Sequence, residues 1–224
     1  MYKALLFKEW LKTKRVFFIS LFLAIIVAIY AIMQMKSLIE TKGMESLWLT
    51  MILKDATFVD ILTYIPLLIG IATGFAQMSP EMSHKRLKLT LHLPYPTMKL
   101  TGIMLSVGLL QLTLIFILQA AIVAIYDTTI LPSELTGRVL LTIIPWYIGG
   151  YISYLFVSAI CLEGKWLIRL LLGVLGVGVL LPIYIFGDAI KIYTILLPVI
   201  IIFTIVLTIL SFGSVARFKE GLQD

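Results

Sequence analysis

Residues 16–35 read VFFISLFLAIIVAIYAIMQM, and this run decides the fold. The hydrocarbon core of a bilayer is about 30 Å thick, and a helix rising about 1.5 Å per residue crosses it in about 20 residues. Val16–Met35 is a run of that length and character. Working outward, Phe58–Met78, Leu100–Tyr126, Val139–Leu162, Leu167–Phe186 and Ile192–Phe212 meet the same criterion. These runs are continuous rather than alternating, which excludes a membrane barrel and requires each backbone to satisfy its own hydrogen bonds as a helix. Composition agrees: 61% of the 224 residues are hydrophobic and 13% are charged, against about 25% charged in soluble domains. The reading is an all-α integral membrane protein with six transmembrane helices, one domain over residues 1–224. No soluble stretch is long enough to bury a second core.

Orientation follows from the basic residues, because short loops rich in Lys and Arg stay cytoplasmic. Lys3, Lys8, Lys12, Lys14 and Arg15 precede the first run; Lys85, Arg86, Lys88 and Lys99 lie between the second and third; Lys165 and Arg169 follow the fourth; Arg217 and Lys219 are in the tail. The other side holds Lys36, Lys42, Lys54, Arg138 and Lys191, offset by seven acids. Thirteen basic residues against five place both termini inside, in the cell (inner) membrane. The net charge of +6 is then a topology signal, and no nucleic-acid partner is expected. The first run is too long for a signal-peptide core and is followed by Lys36 and Ser37 rather than a small-residue cleavage site, so the first helix is expected to be retained. Cys161 is alone, which leaves no intrachain disulfide and no cysteine metal site.

The flank MYKALLFKEWLKTKR, residues 1–15, places Leu6, Phe7, Trp10 and Leu11 at helical spacing among lysines. That pattern predicts a helix lying in the cytoplasmic interface, with Trp10 at headgroup depth. An ordinary positive flank anchoring the first span is the alternative. On the outer side, Leu38 to Lys54 can carry a short amphipathic helix around Trp48. Met33, Met35, Met44 and Met51 collect there, and packing explains them better than copper ligation.

The segment 79–99, SPEMSHKRLKLTLHLPYPTMK, is a charged, proline-closed insertion between two spans. Pro80 suits a first helical turn and Glu81 favours a helix N-terminus, while Pro94 and Pro96 end the element. Leucines at 87, 89, 91 and 93 alternate, but a lone strand would leave its backbone unpaired. A short helix, with Leu87 and Leu91 on one side and Leu89 and Leu93 on the other, is the reading preferred.

Here the chain resembles the ABC-2 type transporter permeases, whose members often carry E-x-x-x-G-T-L-x-x-L-L-S-L-P between the second and third spans. Glu81, Leu87, Leu91, Leu93 and Pro94 stand at matching positions, with Lys85 for the Gly, Arg86 for the Thr and His92 for the Ser. The resemblance covers the whole chain: residues 1–15 look like the family's elbow helix and 79–99 like its coupling helix. It implies two such subunits, identical or one paired with a sister permease, that bind two cytoplasmic ATP-binding cassette subunits and move a substrate by alternating access. Glu81, Lys85, Arg86, Leu87, Leu91, Leu93 and Pro94 would then couple to the ATPase, Glu81, Lys85 and Arg86 through partly exposed polar contacts. ATP and Mg would sit on that partner, since Ala159 and Trp166 spoil the one P-loop-like stretch of this chain.

Gly70 and Gly74 form a GxxxG in the second run, and Gly173 and Gly176 stand in the fifth, so both helices can approach a neighbour closely. Packing within the bundle accounts for this; the resemblance, which places these spans near a dimer axis, adds a subunit interface. Pro66, Pro145, Pro182 and Pro198 each remove a helical hydrogen bond, and Leu181 to Asp188 resembles the family's broken outer hairpin. Gln111 and Gln119 are expected to bond neighbouring helices, and Arg169 to reach the headgroups. The spans contain no evident chain of buried acids, which favours an externally powered transporter over a proton-driven one. His84 and His92 lack metal-pair spacing, and neither an enzyme nor a bound cofactor is indicated. From another class, a non-transporting scaffold or sensor whose basic loop docks a different protein fits the same features.

Overall fold

The computed structural model describes residues 2–53, 60–83, 96–130, 133–185, 198–202 and 204–206. Every element among them is helical: α1 (Tyr2–Leu53), a 3-10 turn (Asp60–Leu62), α2 (Ile65–Ser83), α3 (Thr97–Ile130), α4 (Ser133–Leu162) and α5 (Trp166–Ile185). Five helices are long and apolar enough to cross a membrane. They contain most of the first five runs read from the sequence; most of the sixth, Ile192–Phe212, lies outside the described residues.

Contacts fix the helix directions. Lys12 meets Glu81 while Ile19 and Leu23 face Leu68 and Ala72, so α1 and α2 run antiparallel. Thr13 meets Gln111 and Ala24 meets Gln119, so α3 returns parallel to α1. Tyr151 bonds Thr113 while Tyr154 approaches Leu105, which makes α4 antiparallel to α3. Each helix therefore reverses the one before it. Leu5, Met82, Leu100 and Leu162 gather at one end, and Met35, Leu38, Leu62 and Leu135 at the other. Large apolar side chains such as Phe18, Phe22, Phe75, Leu167 and Val174 cover the rim, where lipid rather than water is the favourable neighbour.

The closest helix pair is α2 with α4, and glycine is the reason. A Cβ at Gly70 would overlap the Gly150 carbonyl oxygen and Ser153 Oγ, and one at Gly74 would stand 3.0 Å from the Tyr154 carbonyl oxygen. The GxxxG of the second run thus meets a neighbouring helix of its own chain, the close backbone approach such residues permit. Gly176 lies on the Phe156 ring, with 3.1 Å from a would-be Cβ, whereas Gly173 has open space beside it. Phe116 stacks on Tyr147 with ring centroids 4.9 Å apart and meets Tyr151 edge-on at 5.2 Å, filling the centre between α3 and α4.

Two expectations need correction. Residues 2–15 are not a separate interfacial helix: α1 runs unbroken from Tyr2 until Gly43, the one residue with non-helical angles (φ 74°, ψ 157°). Nothing between Thr13 and Val16 breaks a helix, and its buried polar side chains tie the segment into the bundle. At Gly43 a left-handed φ is cheap for glycine, and the helix resumes to Leu53. The second correction concerns Pro80. It stands inside α2, which continues to Ser83, rather than opening a new helix. Pro66, in the first turn of α2, occupies a position whose N–H lacks a helical partner in any case. Pro145 and Pro182 lie within α4 and α5. The outer hairpin beyond Ile185 falls outside the described residues.

Candidate functional site

The end of the bundle that holds the chain's N-terminus also holds a buried polar cluster, built on four helices. α1 contributes Lys8, Glu9, Lys12 and Thr13, which recur at three- and four-residue spacing and so share one face. α2 contributes Gln77 and Glu81, again four apart. α3 offers the backbone carbonyls of Met104 and Leu105 and the Gln111 amide, and α4 offers Tyr154.

Lys12 is the hub. Its Nζ lies 2.8 Å from Glu9 Oε2 and 2.8 Å from Glu81 Oε1, with its side chain only 10% exposed and both carboxylates at 0%. Lys8 Nζ reaches the same Glu81 oxygen at 3.0 Å. Two cations face two carboxylates, so the cluster is neutral as a unit, the condition under which burying charge is tolerable. Gln77 extends it into the core. Its Nε2 donates to Glu9 Oε2 at 3.1 Å and to the Met104 carbonyl at 2.6 Å, and its Oε1 accepts from the Tyr154 hydroxyl at 2.8 Å. The Leu105 carbonyl stands 3.2 Å from the same hydroxyl as an alternative acceptor. Thr13 donates to the Glu9 carbonyl at 3.0 Å and accepts from Gln111 Nε2 at 2.6 Å. Glu9 Oε1 and Glu81 Oε2 are buried without a hydrogen-bond donor among the described residues.

Of the coupling residues read from the sequence, Glu81 alone is described. It is fully buried and ion-paired within the chain, so the expected partly exposed docking contact is corrected. α2 carries it one turn further into the bundle than a loop residue would reach. Lys85, Arg86, Leu87, Leu91, Leu93 and Pro94 lie outside the described residues, as do His84 and His92.

Gln119 donates to the Ala24 carbonyl at 3.2 Å, so both intramembrane glutamines hold α3 to α1. Arg169 donates to the Glu163 carbonyl at 2.7 Å, closing the end of α4 rather than extending to headgroups alone. Buried acids occur just beyond the apolar runs rather than as a chain within them. Glu9, Glu81, Asp127 and Glu163 are all buried, and both Asp127 oxygens lack a donor among the described residues.

The sequence reading missed Glu9, Gln77, Tyr154 and Asp127. Glu9 is the one acid in a basic flank, three residues before Lys12, and Gln77 is the one amide in the run Phe58–Met78; those two signals were available. Tyr154, one aromatic among many, gave none. Met35 is buried against Val139 and Trp146 while Met33 is exposed, so these two methionines diverge; the side chains of Met44 and Met51 are not described. Among the described residues, no three His, Cys, Asp or Glu side chains converge on a possible metal position. No family model, no curated protein and no solved structure matches the chain.

Proposed function

We propose that this chain is the membrane subunit of an ABC-2 type exporter, working as a pair with a second copy or a sister permease. A separate cytoplasmic ATPase, carrying ATP and Mg, docks on the segment 79–99 and drives alternating access. Both termini and this segment face the cytoplasm of the inner membrane, and six spans cross it. One observation carries the reading: Glu81, within the segment 79–99, is ion-paired to Lys8 and Lys12 of α1, and Gln77 one turn earlier is bonded to α1, α3 and α4. A push on residues 84–95 therefore acts on four helices at once. A loop that only connects two spans has no need of that linkage.

The test uses the leucines. Burying one leucine in an interface contributes about 1.5–3 kcal/mol, against about 0–1 kcal/mol for an exposed ion pair. Leu87→Asp or Leu91→Asp should abolish co-purification of the ATPase and transport, while Lys85→Ala keeps most of both, compared at equal membrane abundance. Full ATPase binding and transport in both leucine variants would sink the coupling role and favour the scaffold.

A further inference from the structure

Val16, Ile19 and Leu23 of α1 face Leu68, Ile71 and Ala72 of α2 across a groove that opens on the lipid-facing side. Its walls are apolar, and no described part of the chain covers it. The helical residues 198–202 lie elsewhere, with Ile200 packed against Ile152, Phe156 and Ile183 of α4 and α5.

The ends of the groove differ. Because α1 is unbroken, its groove stripe continues one turn toward the N-terminus through Lys12 and Arg15. Lys12 is held by Glu9 and Glu81, but Arg15 is exposed and makes no ion pair among the described residues. On α2, running the opposite way, the next turn toward the same end presents exposed Phe75. The result is an apolar slot whose mouth carries a guanidinium with no ion pair among the described residues. From Val16 to Leu23 the slot runs about 10 Å along the helix axis, most of the roughly 15 Å of hydrocarbon in a single leaflet. That is the shape of one acyl chain, and the mouth has the charge that recognises a phosphate.

We infer that the groove between α1 and α2 is a binding site for an anionic glycerophospholipid, with one acyl chain lying along Val16 to Leu23 and the headgroup phosphate at Arg15. An anionic headgroup is preferred over a zwitterionic one, whose ammonium an arginine repels.

The full chain, reconstituted in nanodiscs of equal phosphatidylglycerol and phosphatidylcholine and then released into detergent, is examined by native mass spectrometry for retained lipid. Wild type should keep phosphatidylglycerol over phosphatidylcholine at least fivefold, and Arg15→Gln should bring the ratio within twofold. Lys14→Gln serves as the control. Lys14 is exposed but lies about 160° around the helix from Val16, so its variant should keep the wild-type ratio. Ala72→Trp, which fills the slot, should lower retention of both lipids. Should that variant fail to fold, Arg15→Gln, on an exposed side chain, keeps the test decisive. Any of the following overturns the site: an unchanged ratio in Arg15→Gln, an equal fall in Lys14→Gln, or complete displacement of phosphatidylglycerol by excess glycerol phosphate. A loss of dimer in Ala72→Trp with lipid retention unchanged assigns the groove to a second copy instead and also overturns it.

Discussion

Lys12 bridges two buried carboxylates, and its partners are not equally served. Glu81 keeps Lys8 if Lys12 is removed, whereas among the described residues Glu9 keeps only the Gln77 amide. Breaking a buried pair by deleting one charge costs about 3–5 kcal/mol, because the remaining ion stays desolvated. Lys12→Met should therefore destabilise the purified protein by about 3 kcal/mol in a denaturation series. Adding Glu9→Gln should recover at least about 1 kcal/mol of that loss, within the coupling range of contacting residues, and Glu81→Gln should recover less. Equal recovery by the two second substitutions would contradict the asymmetry of the cluster. Glu9 and Gln77 stood out in the sequence as single polar residues, but their pairing was not legible, because charge in a basic flank reads as solvated until the partner helix is placed beside it. The Lys12–Glu81 pair spans 69 positions of chain, a separation that no local pattern records.

Helices were the most legible part, for a physical reason. In a bilayer the backbone has no solvent partner, so apolar length alone dictates the secondary structure. Helix ends were less legible, since the polar residues that mark a membrane boundary need not mark the end of a helix. α1 and α2 both extend beyond their continuous apolar runs, and Glu9, Lys12 and Glu81 find one another in those extensions. The glycines show how pattern becomes packing only in context. Gly70 abuts Gly150 and Ser153, while a Cβ at Gly173, read from the sequence in the same way, would meet nothing within 4 Å among the described residues. Gly70→Ala should cost about 1–3 kcal/mol by overpacking. Gly173→Ala should be neutral or stabilising by up to about 1 kcal/mol, through helix propensity. Thermal melts of the two variants in the same detergent check the contrast.

Across the whole molecule, the alternating helices gather Lys3 to Arg15, Lys99, Lys165 and Arg169 at one end and put Lys36 and Arg138 toward the other. The count of basic residues made this division readable before any contact was known. Reporter fusions after Lys88 and after Asp224 should read cytoplasmic, and one after Glu134 external; an external signal at Lys88 would reverse the assignment. The polar cluster also bears on how the protein is made. Lys8, Glu9, Lys12 and Glu81 sum to zero charge, and all four belong to the first two helices. Synthesis proceeds from the N-terminus, so these ions can cancel while α3 is still being translated. The Gln77 amide finds Glu9 within the same hairpin, but its other partners, Met104 and then Tyr154, come later. The nascent hairpin thus enters the bilayer with its charges already matched, and only a neutral group is left for later helices to satisfy.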